Sequence, residues 1–381
     1  MSRILIFSTA YLPLFGGAEV AVKEITDRLG TEFEFVLVTA RLRADLSPQE
    51  RIGAVEVRRI GKGCWSDKLL LAFYGARYAR TLGNFDVVWG VMASYGGLAA
   101  LRYKKAHQST KFLLTLQEGD SRAHIYARVW WWWPYFTQIF KRADKIQAIS
   151  NYLADWAREM GAKRSIDVVP NGVDVGHFFP PDELVRERVR AEVRQQYGIP
   201  LKAPLVISIS RLVPKNGIAD LIRAMKFLPE DVHLMIVGEG TLSQNLHTLV
   251  QTKKLKDRVH FVGLVNHKDL PRYLWASDVF CRPSLSEGLG NVFLEAMAAG
   301  VPVVAPMVGG IKDFLIDNET GFVCISGNPK NITSVLRRAL TDLTTRLHVV
   351  AEARALVLKK YDWQSISGQM KSIFDTICAS S

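Results

Sequence analysis

Two doubly wound α/β domains, each built on a parallel sheet, are what this sequence predicts. Three observations carry that expectation. Short apolar runs alternate with helical stretches along most of the chain, the pattern of repeated βαβ units. The alternation restarts after a proline-bearing break, Ile199-Pro-Leu-Lys-Ala-Pro204. And 381 residues are long for one core but comfortable for two domains of ordinary size.

Residues 3–10 form a nearly continuous apolar run rich in β-formers, as expected of a central strand buried on both faces. Residues 11–17 read as a loop, and residues 18–29 place Val20, Ala21, Ile25 and Leu29 at helical spacing. Further strands are expected at 33–39, 55–60, 85–91, 112–116, 145–150 and 166–169. Residues 180–196 are charged and helical. A second set of strands follows at 205–210, 234–237, 259–262, 279–281 and 301–305, each trailed by helix-like sequence. Residues 361–381 contain a last helical run after Tyr361-Asp362-Trp363. The expected division is a first domain at 1–180, a second at 181–360 and a C-terminal segment that packs back on the first. Open parallel sheets take ligands beyond the carboxyl ends of their strands, so the site is expected in the cleft where the two domains face one another.

Composition narrows the classes. Hydrophobic residues at 48% and charged residues at 23% describe a folded chain, not a disordered or fibrous one. Cys64, Cys281, Cys324 and Cys378 lie far apart with no Cys-x-x-Cys pair, which argues against a disulfide framework or a zinc site. Met-Ser-Arg runs directly into a strand, so no signal peptide is expected. The longest apolar stretches, 87–101 and 296–311, fall short of the about 20 residues that span a bilayer. The expected location is the cytoplasm.

The net charge of +12 is unevenly spread: residues 41–164 hold 21 lysines and arginines against 10 aspartates and glutamates. Such a patch suits an anionic membrane surface, a phosphorylated lipid or a nucleic acid, although no nucleic-acid-binding motif is present. Trp130, Trp131, Trp132 and Trp133 are consecutive and are followed by Pro134-Tyr135-Phe136 and the basic Lys141, Arg142 and Lys145. Four adjacent positions on a helix point around most of its circumference. Some indoles should therefore stay exposed, where they suit a lipid headgroup layer. A peripheral site on the inner face of the cell membrane is expected on this ground; an aromatic-rich core helix is the alternative.

The chemistry is concentrated in Pro283-Ser-Leu-Ser-Glu287-Gly288-Leu289-Gly290-Asn291-Val292-Phe-Leu-Glu295, followed by Ala-Met-Ala-Ala-Gly-Val-Pro302. A strand ends near Arg282, a glycine-bearing loop follows, and a helix opens near Asn291. Free amides at a helix N-terminus favour an anion such as a diphosphate. Gly288 and Gly290 let the backbone approach a ligand. Glu287 lies before the helix and Glu295 about one turn inside it, so the two carboxylates can reach different parts of one elongated, hydroxyl-rich ligand.

This Glu-x7-Glu stretch and its surroundings resemble glycosyltransferase family 4, retaining enzymes with the GT-B fold. The resemblance extends to Gly16-Gly17-Ala18-Glu19, similar to the family's glycine loop, and to Val169-Pro170-Asn171-Gly172-Val173-Asp174. It continues through Ser210-Arg211-Leu212-Val213 and Val308-Gly309-Gly310-Ile311. It implies transfer of a hexose-type sugar from a UDP- or GDP-sugar to a glycan or lipid-linked acceptor. By the resemblance Glu287 contacts hydroxyls of the transferred sugar and Glu295 the ribose. Gly288, Leu289, and the amides of Gly290, Asn291 and Val292 line the donor, with Gly16 and Gly17 approaching it from the first domain. Arg211 and a nearby lysine clamp the diphosphate. The family pattern is Arg-Leu-x-x-x-Lys-Gly, whereas here Arg211-Leu-Val-Pro-Lys215-Asn216-Gly217 sets the lysine one place early. Either Lys215 or Asn216 supplies the second phosphate contact. Gln117 stands where the family often carries histidine; it can hydrogen-bond a sugar but cannot shuttle a proton.

No Asp-x-Asp occurs in the chain, and no metal or other cofactor is expected: fixed cations and helix amides would stabilise the departing nucleoside diphosphate. Retention is implied by the resemblance, through front-face displacement with no covalent nucleophile. Glu287→Ala is expected to lower turnover with the fold intact. The alternatives are a GT-B epimerase acting on a nucleotide sugar and an inactive homologue serving as a binding subunit.

Overall fold

A computed structural model describes residues 1–14 and 16–379. The chain divides into two compact units, Met1–Gly172 with the segment from Trp363 onward, and Val173–Asp362.

The first unit is built on a sheet of eight strands among the described residues: β1 (Ser2–Ser8), β2 (Phe33–Ala40), β3 (Gln49–Ile52), β4 (Val55–Ile60), β5 (Val87–Val91), β6 (Lys111–Leu116), β7 (Lys145–Ala148) and β8 (Ile166–Val168), in the order β3-β4-β2-β1-β5-β6-β7-β8. Every pairing is parallel except β3 with β4. Ile4, Leu5, Ile6 and Phe7 are fully buried because β1 sits mid-sheet with helices over both faces, which is why it reads as one apolar run. β3 escapes a sequence reading. Its Gln-Glu-Arg-Ile is a polar edge strand with alternate residues exposed, and charge on an edge discourages pairing with another chain.

The final helix, Trp363–Ala379, belongs to this unit. Trp363, Ile366, Met370, Ile373, Phe374 and Ile377 recur at helical spacing and are buried with residues of β1, β2 and β5 in one core. Phe374 meets the rings of Phe33, Phe35 and Trp89 at 5.4, 6.1 and 5.3 Å.

The tryptophan run does not wrap one helix. Trp130–Trp132 form a single 3-10 turn after the helix Arg122–Val129, and Trp133 opens a separate helix, Trp133–Arg142, with Pro134 in its first turn. A proline is tolerated at a helix start but has no N–H to extend the preceding one. The break sorts the indoles. Trp130 and Trp131 are exposed, while Trp132 and Trp133 are half-buried, against Phe136 at 5.5 Å and Tyr126 at 5.1 Å respectively.

The second unit has a fully parallel sheet of β9 (Leu205–Ile209), β10 (His233–Val237), β11 (Val259–Gly263), β12 (Val279–Cys281), β13 (Val303–Pro306) and β14 (Phe322–Cys324), ordered β11-β10-β9-β12-β13-β14. β9 and β10 are buried throughout. The charged helix over residues 180–196 begins later than its composition suggests, at Glu183, because the Asp182 carboxylate accepts the Val185 N–H at 3.0 Å and caps it. Arg194 from this helix is fully buried, its guanidinium donating to the carbonyls of Ala276 and Leu201 and to the Asp278 carboxylate. That locks the helix onto the sheet. Among the described residues no helix is long and apolar enough to cross a membrane.

Candidate active site

The second sheet changes direction between β9 and β12: strands added before lie on one side of β9 and strands added after on the other. Loops diverge at such a point and leave a crevice at the carboxyl ends of the strands. Three loops meet there, following the neighbouring strands β9, β12 and β13. The Leu285 N–H donates to the Lys215 carbonyl at 2.6 Å, joining the first two, and the Gly310 N–H donates to the Glu287 carbonyl at 3.2 Å, joining the third. Gly309 takes a left-handed φ of 53°, and any Cβ there would collide with the Glu287 carbonyl. Only glycine lets this third loop close down on Glu287.

Glu287 is buried and held. Arg282 Nη2 donates to its Oε1 at 2.5 Å and the Ser284 hydroxyl donates to the same oxygen at 3.0 Å. The Arg282 guanidinium also donates through Nε to Ser284 Oγ at 3.1 Å and lies 4.4 Å over the Phe293 ring. Burial pushes the Arg282 pKa down. Glu287 and Glu295 counter that shift, while the nearby Arg211 adds to it. Arg282, Arg211, Glu287 and Glu295 thus share one electrostatic neighbourhood. Arg282 was not picked out as a site residue from the sequence, although one signal was present: a lone cation closing the apolar run of β12.

The helix Asn291–Ala298 starts from Gly290, whose φ of 92° is left-handed. A side chain there would strike Phe293 and approach Arg282. Gly288, Leu289 and Gly290 thus form the turn that leads into the helix, of which Asn291 and Val292 are the first residues. Inside the helix Glu295 Oε1 lies 3.0 Å from His267 Nε2, a contact between elements far apart in sequence.

On the β9 loop, Arg211 is exposed. Its side chain is in no hydrogen bond or ion pair among the described residues. Asn216, by contrast, is buried and its amide donates to the Arg211 carbonyl at 2.6 Å. That bond braces the loop, and Lys215 is half-exposed on the same turn.

Three of the candidate donor-site residues, Gly16, Gly17 and Gln117, fall in the first unit. Gly16 precedes and Gly17 opens the helix Gly17–Leu29 after β1. Gln117 follows β6, and its Oε1 accepts the Asn171 amide at 3.0 Å. The neighbouring Glu118 went unnoticed, and nothing in the sequence marks it. It is buried, and its two carboxylate oxygens accept the Ala93 N–H at 2.5 Å and the Gln117 N–H at 2.9 Å. Burial pushes its carboxyl up to about 7, against the pull of those two amides. Glu118 ties the end of β6 to the turn after β5.

This architecture has many counterparts. Sucrose-phosphate synthase from Thermosynechococcus elongatus matches over all of both chains with a TM-score of 0.86 at 22% identity. The Anabaena protein HepE, solved in complex with UDP-glucose, matches 99% of this chain and 100% of its own with a TM-score of 0.82 at 20% identity. In sequence, the GDP-mannose-dependent alpha-(1-6)-phosphatidylinositol monomannoside mannosyltransferase of Mycobacterium tuberculosis is 27% identical over 97% of each chain. The D-inositol 3-phosphate glycosyltransferase of Xylanimonas cellulosilytica is 31% identical over 62% of this chain and 58% of its own. The family pattern described as Glycosyltransferase Family 4 matches residues 15–177, and that of Glycosyl transferases group 1 matches residues 189–356. Two α/β sheets of GT-B type, with both patterns present in their order along the chain, make this protein a member of glycosyltransferase family 4.

Proposed function

We propose that this glycosyltransferase retains anomeric configuration, needs no metal, and moves a hexose from a UDP- or GDP-sugar to a lipid-linked acceptor at the inner face of the cell membrane. The observation that carries the donor half of this reading is the setting of the helix Asn291–Ala298: it opens from the loop that holds the buried Arg282–Glu287 pair, and that loop is joined to the turn carrying Arg211 and Lys215. As the bond between the anomeric carbon and the diphosphate breaks, negative charge grows on the leaving oxygen. Arg211, Lys215 and the amides of Gly290, Asn291 and Val292 stabilise it. The acceptor hydroxyl bonds to the anomeric carbon from the same face, and its proton passes to the departing phosphate. Glu287 positions sugar hydroxyls, and Glu295 turns from His267 to the ribose. Among the described residues no three His, Cys, Asp or Glu side chains cluster as metal ligands.

The acceptor half draws on the relatives, one of which is named for a phosphatidylinositol monomannoside, and on the exposed indoles of Trp130 and Trp131 within a basic unit. The test is release of nucleoside diphosphate from a panel of UDP- and GDP-sugars with chelator present, using lipid extract as acceptor and nuclear magnetic resonance to assign the product anomer. Turnover of one donor with retained configuration is expected. Activity that returns only with magnesium or manganese, or an inverted product, overturns the corresponding part.

A further inference from the structure

A cavity of about 450 Å³ opens in the first unit, between the helices Asp67–Ala79, Tyr95–Ala106 and Arg122–Val129 and the turn Trp130–Trp132. Its volume is that of a small-molecule site. Its floor is made by Met92, Ala93, Ser94 and Glu118, just past the carboxyl ends of β5 and β6. Strand order reverses between β1 and β5, so the floor adjoins the position where doubly wound sheets hold ligands. Much of the wall is hydrocarbon: Leu69 and Phe73 from one helix, Leu98 from the next, and Val129, Trp132 and Tyr135.

The surface around it is unlike the rest of the unit. Apart from Met1, the exposed large hydrophobic residues described in this unit all fall within residues 65–74 and 130–135, and include Trp65, Phe73, Trp130, Trp131 and Tyr135. Both segments flank the cavity. An apolar patch of this kind on a soluble fold marks a binding surface.

Charge identifies the partner. Lys68 is only 7% exposed, yet its side chain makes no hydrogen bond or ion pair among the described residues. Its ammonium instead rests 2.9 Å from the Trp65 ring centre and 5.2 Å from that of Tyr95, a residue of the cavity wall. Burial and the nearby Arg128 both lower its pKa. Lys68 thus borders the cavity through Tyr95, while Arg102 and Arg128 line it directly, and neither arginine is in an ion pair among the described residues; Arg102 lies 5.4 Å over Phe73. Of the wall carboxylates, Glu118 has both oxygens committed to backbone amides. The other is Asp120. A buried ammonium held by rings alone is costly until an anion reaches it.

We propose that this cavity takes the hydrocarbon chain of a phosphate-bearing lipid acceptor, with Leu69, Phe73, Trp132 and Tyr135 around the chain and Lys68, Arg102 and Arg128 facing the phosphate. This rests on the reading above that the acceptor is lipid-linked. It adds where the lipid is gripped and what its head must carry. A chain leaving the bilayer beside Trp130 and Trp131 enters the cavity without crossing water, and the floor delivers its head to the carboxyl edge of the first sheet.

The test uses the full chain and dodecyl phosphate below its micelle concentration, read by calorimetry and by tryptophan emission from Trp131 and Trp132. Saturable binding is expected, with inorganic phosphate and dodecyl maltoside each at least about tenfold weaker. Leu69→Glu and Tyr135→Glu alter exposed wall positions and should each weaken dodecyl phosphate about tenfold or more. Lys68→Met with Arg128→Ala should reduce it to the level of dodecyl maltoside. No binding by the native chain, undiminished binding by both glutamate variants, or dodecyl maltoside binding as tightly as dodecyl phosphate overturns the proposal. UDP and GDP binding, measured on the same samples, reports the second unit. Nucleotide binding without amphiphile binding removes the cavity assignment and leaves the transferase reading. Amphiphile binding with no donor turned over does the reverse.

Discussion

At the scale of single residues, the buried pair of Arg282 and Glu287 governs what a substitution can reveal. Side chains 8% and 10% exposed form an ion pair cut off from water. Removing one partner from such a pair strands the other charge and costs about 3–5 kcal/mol. The expectation that Glu287→Ala leaves the fold intact is therefore revised, since the same change disturbs both stability and the donor loop. A paired replacement separates the two. Glu287→Leu with Arg282→Met should recover most of the stability lost by Glu287→Ala, read as the urea midpoint. Turnover should remain about 10²–10³-fold down, the scale for losing a preorganised contact. A double variant restored in both would show that Glu287 does no work on the donor. The Glu-x7-Glu spacing was legible as sequence, but this pairing was not: nothing local tells that the arginine closing β12 folds back five residues instead of pointing to solvent.

At the scale of elements, the helix Trp363–Ala379 shows how a distant segment completes a core. Its apolar face of Trp363, Ile366, Met370, Ile373, Phe374 and Ile377 is buried among residues of β1, β2 and β5. Amphipathic spacing announces a helix that must bury one face; it does not say against what. Phe374, in contact with three aromatic rings, is the place to measure the answer. Phe374→Ala should cost about 3–5 kcal/mol and lower the thermal midpoint of the first unit by roughly 10 °C. Phe374→Leu should lose well under half of that. A midpoint unmoved by the alanine change would mean that this helix adds little to the core. The turn Trp130–Trp132 makes the complementary point. Read as one helix, four consecutive tryptophans point around most of its circumference, whereas the structure breaks the run into a 3-10 turn and a new helix with proline in its first turn, and that break decides which indoles meet water.

At the scale of the whole molecule, the membrane reading rests on charge and exposed indole together. Residues 41–164 carry 21 basic against 10 acidic residues, and each basic residue near an anionic leaflet contributes about 1 kcal/mol, falling with salt. The native protein should co-sediment with vesicles containing phosphatidylserine at low salt and lose most binding at high salt. Trp130→Ser with Trp131→Ser should weaken it at both. These two are the indoles to change because they are the exposed ones; Trp132 packs on Phe136, and its loss would disturb the fold as well. Equal, negligible sedimentation by both folded proteins would end the membrane reading and direct the acceptor search to soluble glycans.

The sequence by itself determined the two parallel sheets, most of their strands, and membership of glycosyltransferase family 4, because each is written in contiguous residues. A central strand such as β1 is apolar throughout since both of its faces are covered, and the loop before Asn291 is a run of neighbours. The tertiary structure alone decided which side chains from separate elements meet. It set Glu295 beside His267, committed Asn216 to the Arg211 carbonyl, closed Gly309 over Glu287, and enclosed a cavity with residues drawn from positions 69 to 135. It also left the Lys68 ammonium buried among rings. Apart from Asn216 with Arg211 and Lys68 with Trp65, these contacts join positions tens of residues apart. They depend on how strands are ordered in a sheet and on which helix covers which face, and neither is encoded in the local spacing of polar and apolar residues.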